Sequence, residues 1–346
     1  MIKHGVYNII LTEFKCGFGC SQHYLKDNVI DKGGNFVAKY IFKRLGYSLL
    51  SLLVIVTVTF FLMRLAPGNP FAAEQQLVTP QIQEQLNEAY GLNDPWYEQY
   101  FTYVKNVATF DFGESMKYRG RSTNDMIAES FPVSVTLGAS SLLFAIGFGV
   151  LLGVISAMYH NKTGDYIATV ISVLGISIPS FVLAGLMQYQ LGLKLGWFPI
   201  SGWKSNIHIV LPSLALGLGY MGNIAKLTRS SLLEQNTSEY VKLAKAKGLK
   251  KWGVVFKHSL RNALLPVVTY LGPLTAGILT GSFVIENIFA IPGLGRHFVQ
   301  SINNRDYTLI MGITVFFAIV LLIAVFIVDI LYVVLDPRIK LEGDDN

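Results

Sequence analysis

The stretch LIMGITVFFAIVLLIAVFIVDILYVV, residues 309–334, contains one charged side chain, Asp329, near its end. A helix needs about twenty consecutive apolar residues to cross the hydrocarbon of a bilayer, and a helix satisfies every backbone N–H and C=O within its own segment. The stretch therefore reads as a membrane crossing, and the rest of the chain has the same character. Of 346 residues, 52% are hydrophobic and 14% charged, with a mean hydropathy of +0.45; soluble domains carry about a quarter charged residues. Further apolar runs at 45–63, 133–158, 166–190, 209–225 and 264–285 bring the expected crossings to about six, the one at 209–225 being short and glycine-rich. The sequence predicts an all-α integral membrane protein.

The net charge of +6 is informative through its position, because Lys and Arg beside span ends stay on the cytoplasmic face. Lys39, Lys43 and Arg44 precede the first span, and Lys162 separates the second from the third. Lys226, Arg229, Lys242, Lys245, Lys247, Lys250, Lys251, Lys257 and Arg261 lie between the fourth and fifth. All three groups fall on one face when both termini are cytoplasmic. The opposite face then receives 64–132, where nine acidic residues outnumber five basic ones. The expected layout is a cytoplasmic N-terminal extension (1–38), a first transmembrane helix (39–63), an extracytoplasmic segment (64–132), a transmembrane core (133–336) with a cytoplasmic loop at 228–262, and a cytoplasmic tail (337–346). Charge gathered beside spans gives no footing for nucleic acid.

Near the amino terminus, the apolar run 6–11 is short and lacks a small-residue cleavage site, so it is a poor secretory signal. Cys16 and Cys20 are the two cysteines. They cannot complete a four-ligand zinc site without suitably spaced histidines and read as reduced and incidental, juxtamembrane acylation being the functional alternative.

The longest cytoplasmic loop contains EYVKLAKAKGLKKWGVVFKHSLRNALLPV, residues 239–267. Good helix formers from 239 to 247 place Tyr240, Leu243, Ala244 and Lys247 at three- and four-residue steps, and Gly248 supplies the small residue found just past a helix end. A second amphipathic run sets Trp252, Val255, Phe256 and Ser259 on one side, with Lys250, Lys257 and Arg261 largely elsewhere. Helix, turn, helix is the expected shape. By physics alone it fits an interfacial helix on anionic lipid as well as a knob for a groove on a cytoplasmic partner.

Catalytic and fuel-binding signatures are missing. No Gly-Lys dipeptide occurs, so there is no P-loop, and no histidine begins an H-E-x-x-H. Residues 217–222, GLGYMG, match G-x-G-x-x-G, but no strand precedes them, and glycines in an apolar span serve close helix packing, as Gly149/Gly153 and Gly277/Gly281 also would. Ion-coupled carriers keep ionisable groups along the path; here the middle of every span lacks them. Glu286 at the outer end of the fifth span and Asp329 late in the sixth read as end-of-helix hydrogen-bonding groups. A membrane-embedded hydrolase needs paired catalytic groups at matching depth, and no such pair is found. Uphill movement of a solute would draw its energy from elsewhere.

EYVKLAKAKG followed by HSLRNALLP resembles the cytoplasmic signature loop of ABC importer permeases, specifically the dipeptide/oligopeptide branch. RLAPGNP (64–70), FDFGES (110–115), SIPSFVLA (177–184), LGWFPISGW (195–203), PGLGR (292–296), RDYTLIMG (305–312) and LDPRI (335–339) follow in family order, so the resemblance covers roughly 39–340. It implies a type I importer permease fold in a bacterial cell membrane. The chain would pair with a second homologous permease subunit, two ATPase subunits that hold the ATP and Mg, and an extracytoplasmic solute-binding protein, while itself having no catalytic site, cofactor or metal. It further implies that Glu239, Tyr240, Leu243, Ala244, Lys245, Lys247 and Gly248 form the coupling helix. Tyr240 and Ala244 would lie in the ATPase groove, Glu239 would cap or pair at the helix start, Lys245 and Lys247 would make charge contacts, and Asn262 and Pro266 would form the hinge into the fifth span. The implied cargo is di- or oligopeptides, with nickel chelates or another small solute as alternatives. Two departures stand out: Lys242, Leu243 and Ala244 replace the general Glu-Ala-Ala, and Asn69 stands where this branch often has Asp.

Overall fold

The computed structural model describes residues 35–65, 80–118 and 120–335. The expectations for the first 34 residues, Cys16 and Cys20, Asn69, the tail from 337 and the side chain of Asp329 lie outside the described residues. What is described is helical, apart from turns and one isolated bridge between Glu114 and Ser122. Two units emerge from the packing: 35–50 with 326–335, and Ser51–Val325. All that follows concerns the second.

The first helix, α1 (Asn35–Leu65), is followed by α2 (Pro80–Ala89) and α3 (Trp96–Ala108). Tyr100 of α3 meets Thr57 of α1, their hydroxyls 2.8 Å apart, and packs edge-on against Phe60. Next comes α4 (Thr123–Met158), whose N-cap Ser122 accepts a bond from the Asn124 N–H at 3.1 Å, with Asp125 in the first turn facing the positive end of the helix dipole. At 36 residues and 1.5 Å per residue, α4 is about 54 Å long, more than the ~30 Å hydrocarbon layer. It therefore begins inside the segment expected to be extracytoplasmic.

The third expected span is not one straight helix. α5 (Thr163–Ser177) turns by 103° into Ser180–Lys194, which comprises α6 (Ser180–Met187) and a π-helical continuation. Pro179 causes the break: it has no N–H to continue the ladder, and Ile178 before it is pushed to extended backbone, ψ 122°. The short, glycine-rich fourth span is the opposite case. A 3-10 turn (Asn206–Ile209) leads into α7 (Val210–Gln235), which continues past Ala225 through Lys226 and Arg229 and so extends into the segment 228–262 expected to be the cytoplasmic loop.

Beyond α7 come α8 (Glu239–Ala246), α9 (Lys251–Val254), a π turn (Val255–Ser259), α10 (Leu260–Ala263), α11 (Leu265–Ile288), α12 (Leu294–Asn304) and α13 (Tyr307–Leu335). Among the described residues four helical stretches are long and apolar enough to cross a membrane, and up to six if each of two bent pairs is one span.

Leu137 and Ala145 of α4, Leu211, Ala215 and Ile224 of α7, and Leu274, Ile278 and Ile285 of α11 form one buried core. Lipid provides no hydrophobic force between helices, so contact depends on close approach. A Cβ on Gly149 or Gly153 would lie 2.8 or 2.7 Å from the carbonyl oxygens of Met221 and Ala225. One on Gly175 of α5 would lie 2.6 Å from that of Leu218. The GLGYMG glycines belong to the same seams, since Gly217 faces the Ser141 carbonyl and Gly222 that of Ser172.

Candidate functional site

The expected coupling residues fall on α8 and its exits. Ser238 is the N-cap residue, and Glu239 pairs with Lys242 across one exposed turn at 2.8 Å. The helix ends in a Schellman motif: the Gly248 N–H donates to the Lys245 carbonyl at 3.0 Å and the Leu249 N–H to that of Ala244 at 3.4 Å, with Gly248 at φ +79°. Lys247 is the C-cap residue; the Lys245 ammonium reaches back to the Asn236 carbonyl at 3.5 Å.

Inside the hairpin, Val241, Ala244 and Val254 pack together and are buried. Ala244, expected to face a partner, is therefore occupied within the chain. Tyr240 is partly engaged as well. Its hydroxyl donates to Gln235 Oε1 at 2.5 Å and accepts from Asn262 Nδ2 at 3.2 Å, tying α8 to the end of α7 and to α10. What α8 presents outward is Leu243, at 58% exposure, and the exposed part of Tyr240, amid Glu239, Lys242, Lys245 and Lys247.

The second amphipathic run also differs from the expected face. Val254, Val255 and Ser259 point inward, whereas Trp252 and Phe256 are exposed and stack on each other, centroids 5.6 Å apart and planes 9° from parallel. The π turn at 255–259 adds a residue per turn and rotates one half of the run against the other. Pro266 sits in the first turn of α11, where its missing N–H costs nothing. The 44° bend lies further on, between Gly272 and Leu274, at Pro273.

Three buried carboxylates organise the remaining landmarks. Asp306 caps α13 by accepting from the Leu309 N–H, and also takes the Ser115 hydroxyl and the Met116 N–H, so FDFGES and RDYTLIMG meet. Glu286 Oε2 accepts from the N–H groups of Gly295 and Arg296 at 2.7 and 3.3 Å, capping α12, while Ser134 of α4 accepts from the Leu294 N–H at 2.9 Å. The PGLGR glycines make room for this carboxylate: a Cβ on Gly295 would lie 3.0 Å from it and 2.5 Å from Phe283 Cα. On α12, burial pushes the His297 imidazole below its ordinary value, and Arg121 and Arg296 add to the effect.

The third carboxylate, Asp165, lies at the end of the bundle that carries the basic loop. Arg229 grips it with a fork, Nε and Nη2 each at 2.8 Å from one carboxylate oxygen. The Ser156 hydroxyl and the Asn161 N–H also donate to it, and His160 Nδ1 lies 3.3 Å away. Read as a sequence, Arg229 was one of many inside charges and Asp165 fell just outside a span beginning at 166. The available signal was one acid and one base at matching depth on neighbouring helices.

A family model described as "Binding-protein-dependent transport system inner membrane component" matches residues 149–341, and its N-terminal companion matches 37–138. The chain is 50% identical over 305 residues to the dipeptide transport system permease protein DppB of Bacillus subtilis, covering 88% of this chain and 99% of that one. It is 43% identical to the oligopeptide transport system permease protein OppB of Haemophilus influenzae, covering 87% and 99% respectively. Among solved structures, an inward-facing MetNI methionine ABC transporter chain superposes with a TM-score of 0.53 at 18% identity, covering 61% of this chain and 96% of that one, and so shares the fold. The chain thus belongs to the family of inner-membrane components of binding-protein-dependent transport systems.

Proposed function

We propose that this protein is one of two membrane subunits of an ATP-driven importer of di- or oligopeptides in a bacterial cytoplasmic membrane, with both termini inside. A homologous permease subunit completes the path, two ATPase subunits bind the cytoplasmic loop and hold ATP and Mg, and an extracytoplasmic binding protein delivers the cargo. The carrying observation is the 50% identity to a dipeptide permease over nearly its whole length.

The geometry supports the reading. α8 is a short, rigidly terminated helix whose inner face is consumed by its own hairpin, leaving Leu243 and a ring of charges to enter a partner's groove. Away from the basic end of α7, several half-exposed polar groups inside the spans are uncharged: Tyr220 and Asn223 of α7, Tyr270 of α11 bonded to Asn223, and Ser140 of α4, 2.8 Å from Ser213. Polar groups facing lipid are expensive, which supports reading these as part of the path, where an uncharged lining accepts many side chains.

The test is reconstitution with candidate partner subunits and binding protein in ATP-loaded vesicles. Accumulation of labelled dipeptide or oligopeptide that stops when the ATPase subunits are left out supports the reading. Accumulation by this chain alone, or an assembly that takes up only non-peptide solutes, overturns it.

A further inference from the structure

α8 hangs between two roots, the end of α7 and the start of α9, and both are fastened to the same place. Arg229, six residues before α7 ends, forks onto Asp165. Lys251, the first residue of α9, donates to the Met158 carbonyl, its ammonium 6.0 Å from the Tyr159 ring centroid. Met158 ends α4, Tyr159 follows it and Asp165 lies in the first turn of α5, so all three flank the turn joining α4 to α5.

The two fastenings differ in strength. Asp165 is 4% exposed and its carboxylate oxygens are engaged by Arg229, Ser156 and Asn161, so the pair is charge-assisted and bidentate, with the acid buried and the Arg229 side chain 31% exposed. Lys251, an exposed residue, contributes one part-buried bond from a point charge. A fork also fixes direction, because two parallel N–H donors on a planar guanidinium resist rotation where a single point charge does not. Gly153 on α4, seated against Thr228 one residue before Arg229, brings the backbones together at the same level.

Resting on the reading of α8 as the helix that receives force from an ATPase, we propose that Arg229 and Asp165 are positioning residues for energy coupling. Their ion pair makes the α4–α5 turn the fixed seat on which the α8 hairpin bears, so that displacement of α8 is passed into α7 and α11. Without the fork, the terminal turns of α7 yield and hydrolysis proceeds with the spans left behind.

The test uses the complete reconstituted transporter with Arg229→Gln and Arg229→Lys, measuring solute taken up per ATP hydrolysed, the binding-protein concentration for half-maximal stimulation, and the yield of assembled complex. The expected result is a fall in uptake per ATP of about tenfold for Gln and less for Lys, which keeps the charge but loses the fork, with half-maximal stimulation unmoved. A merely architectural pair lowers yield, uptake and hydrolysis together at a constant ratio. That outcome overturns the proposal, whether seen in both variants or in Lys alone where Gln does not assemble. Wild-type complex run alongside separates this from the reading beneath it, since an unmutated assembly that fails to hydrolyse and transport in step counts against the importer reading itself.

Discussion

Replacing Gly248 tests whether the end of α8 is a conformational device or a contact. Its φ of +79° is in the left-handed region, and a Cβ built there meets nothing within 4 Å, so a substitution adds no clash. The whole penalty is backbone: about 1–2 kcal/mol for Ala, up to about 3 for β-branched Val, and the least for Asn, which visits this region several times more often than other residues. Against it stand two Schellman bonds, at 3.0 and 3.4 Å, each contributing about 1 kcal/mol net. Val is therefore enough to undo the cap: about 2 kcal/mol of bonds set against a penalty of up to about 3 lowers the equilibrium constant for a rigidly terminated α8 by more than tenfold and leaves most hairpins without it. The assay is uptake per ATP in vesicles, with stimulated hydrolysis measured in parallel, for Asn, Ala and Val at position 248. Coupling should fall in the order Gly, Asn, Ala, Val, while the protein inserts and assembles normally. If Asn uncouples as fully as Val, bulk at a contact with a partner decides and the conformational account is wrong; if Val couples normally, α8 does not act as a rigid lever.

Glu286→Ala leaves the N–H groups of Gly295 and Arg296 without their acceptor and should lower stability in detergent by about 1–2 kcal/mol, the usual worth of a cap, whereas Glu286→Gln keeps an acceptor and should retain most of it. Equal losses from Ala and Gln would argue against capping. Gly153→Val drives side-chain atoms into Thr228 and the Ala225 carbonyl and should cost about 3 kcal/mol or more, seen as loss of monodisperse protein, while Gly147, whose Cβ would meet nothing within 4 Å, should accept Val. The His297 imidazole is held low, so folding favours its neutral form: its contribution is intact above the unfolded value of about 6.5 and is lost as pH falls through the lower folded value. His297→Gln should flatten the acid-side fall in thermal stability, and an unchanged profile would remove His297 as its source.

The apolar runs and the placement of Lys and Arg were enough to establish a membrane bundle and the position of its basic loop, because a bilayer imposes its thickness on any helix that crosses it. Local chemistry carried further: EYVKLAKAKG predicted a helix closed by Gly248, since a Schellman end is built from residues within one turn. The tertiary structure decided what depends on neighbours distant in the chain. Ala244 lies at a helical step consistent with an outer face, yet Val254 covers it; Tyr240 stays exposed while its hydroxyl ties α8 to Gln235 and Asn262. The turn at Ile178–Pro179 breaks a run that reads as continuous by hydropathy, because hydropathy sums side chains and is blind to a missing N–H. Asp165 and Arg229 are 64 residues apart, and nothing local in either segment announces that they meet. Period and composition report what each segment prefers by itself; an ion pair on a buried carboxylate exists only where packing has covered the acid and brought its partner within 3 Å.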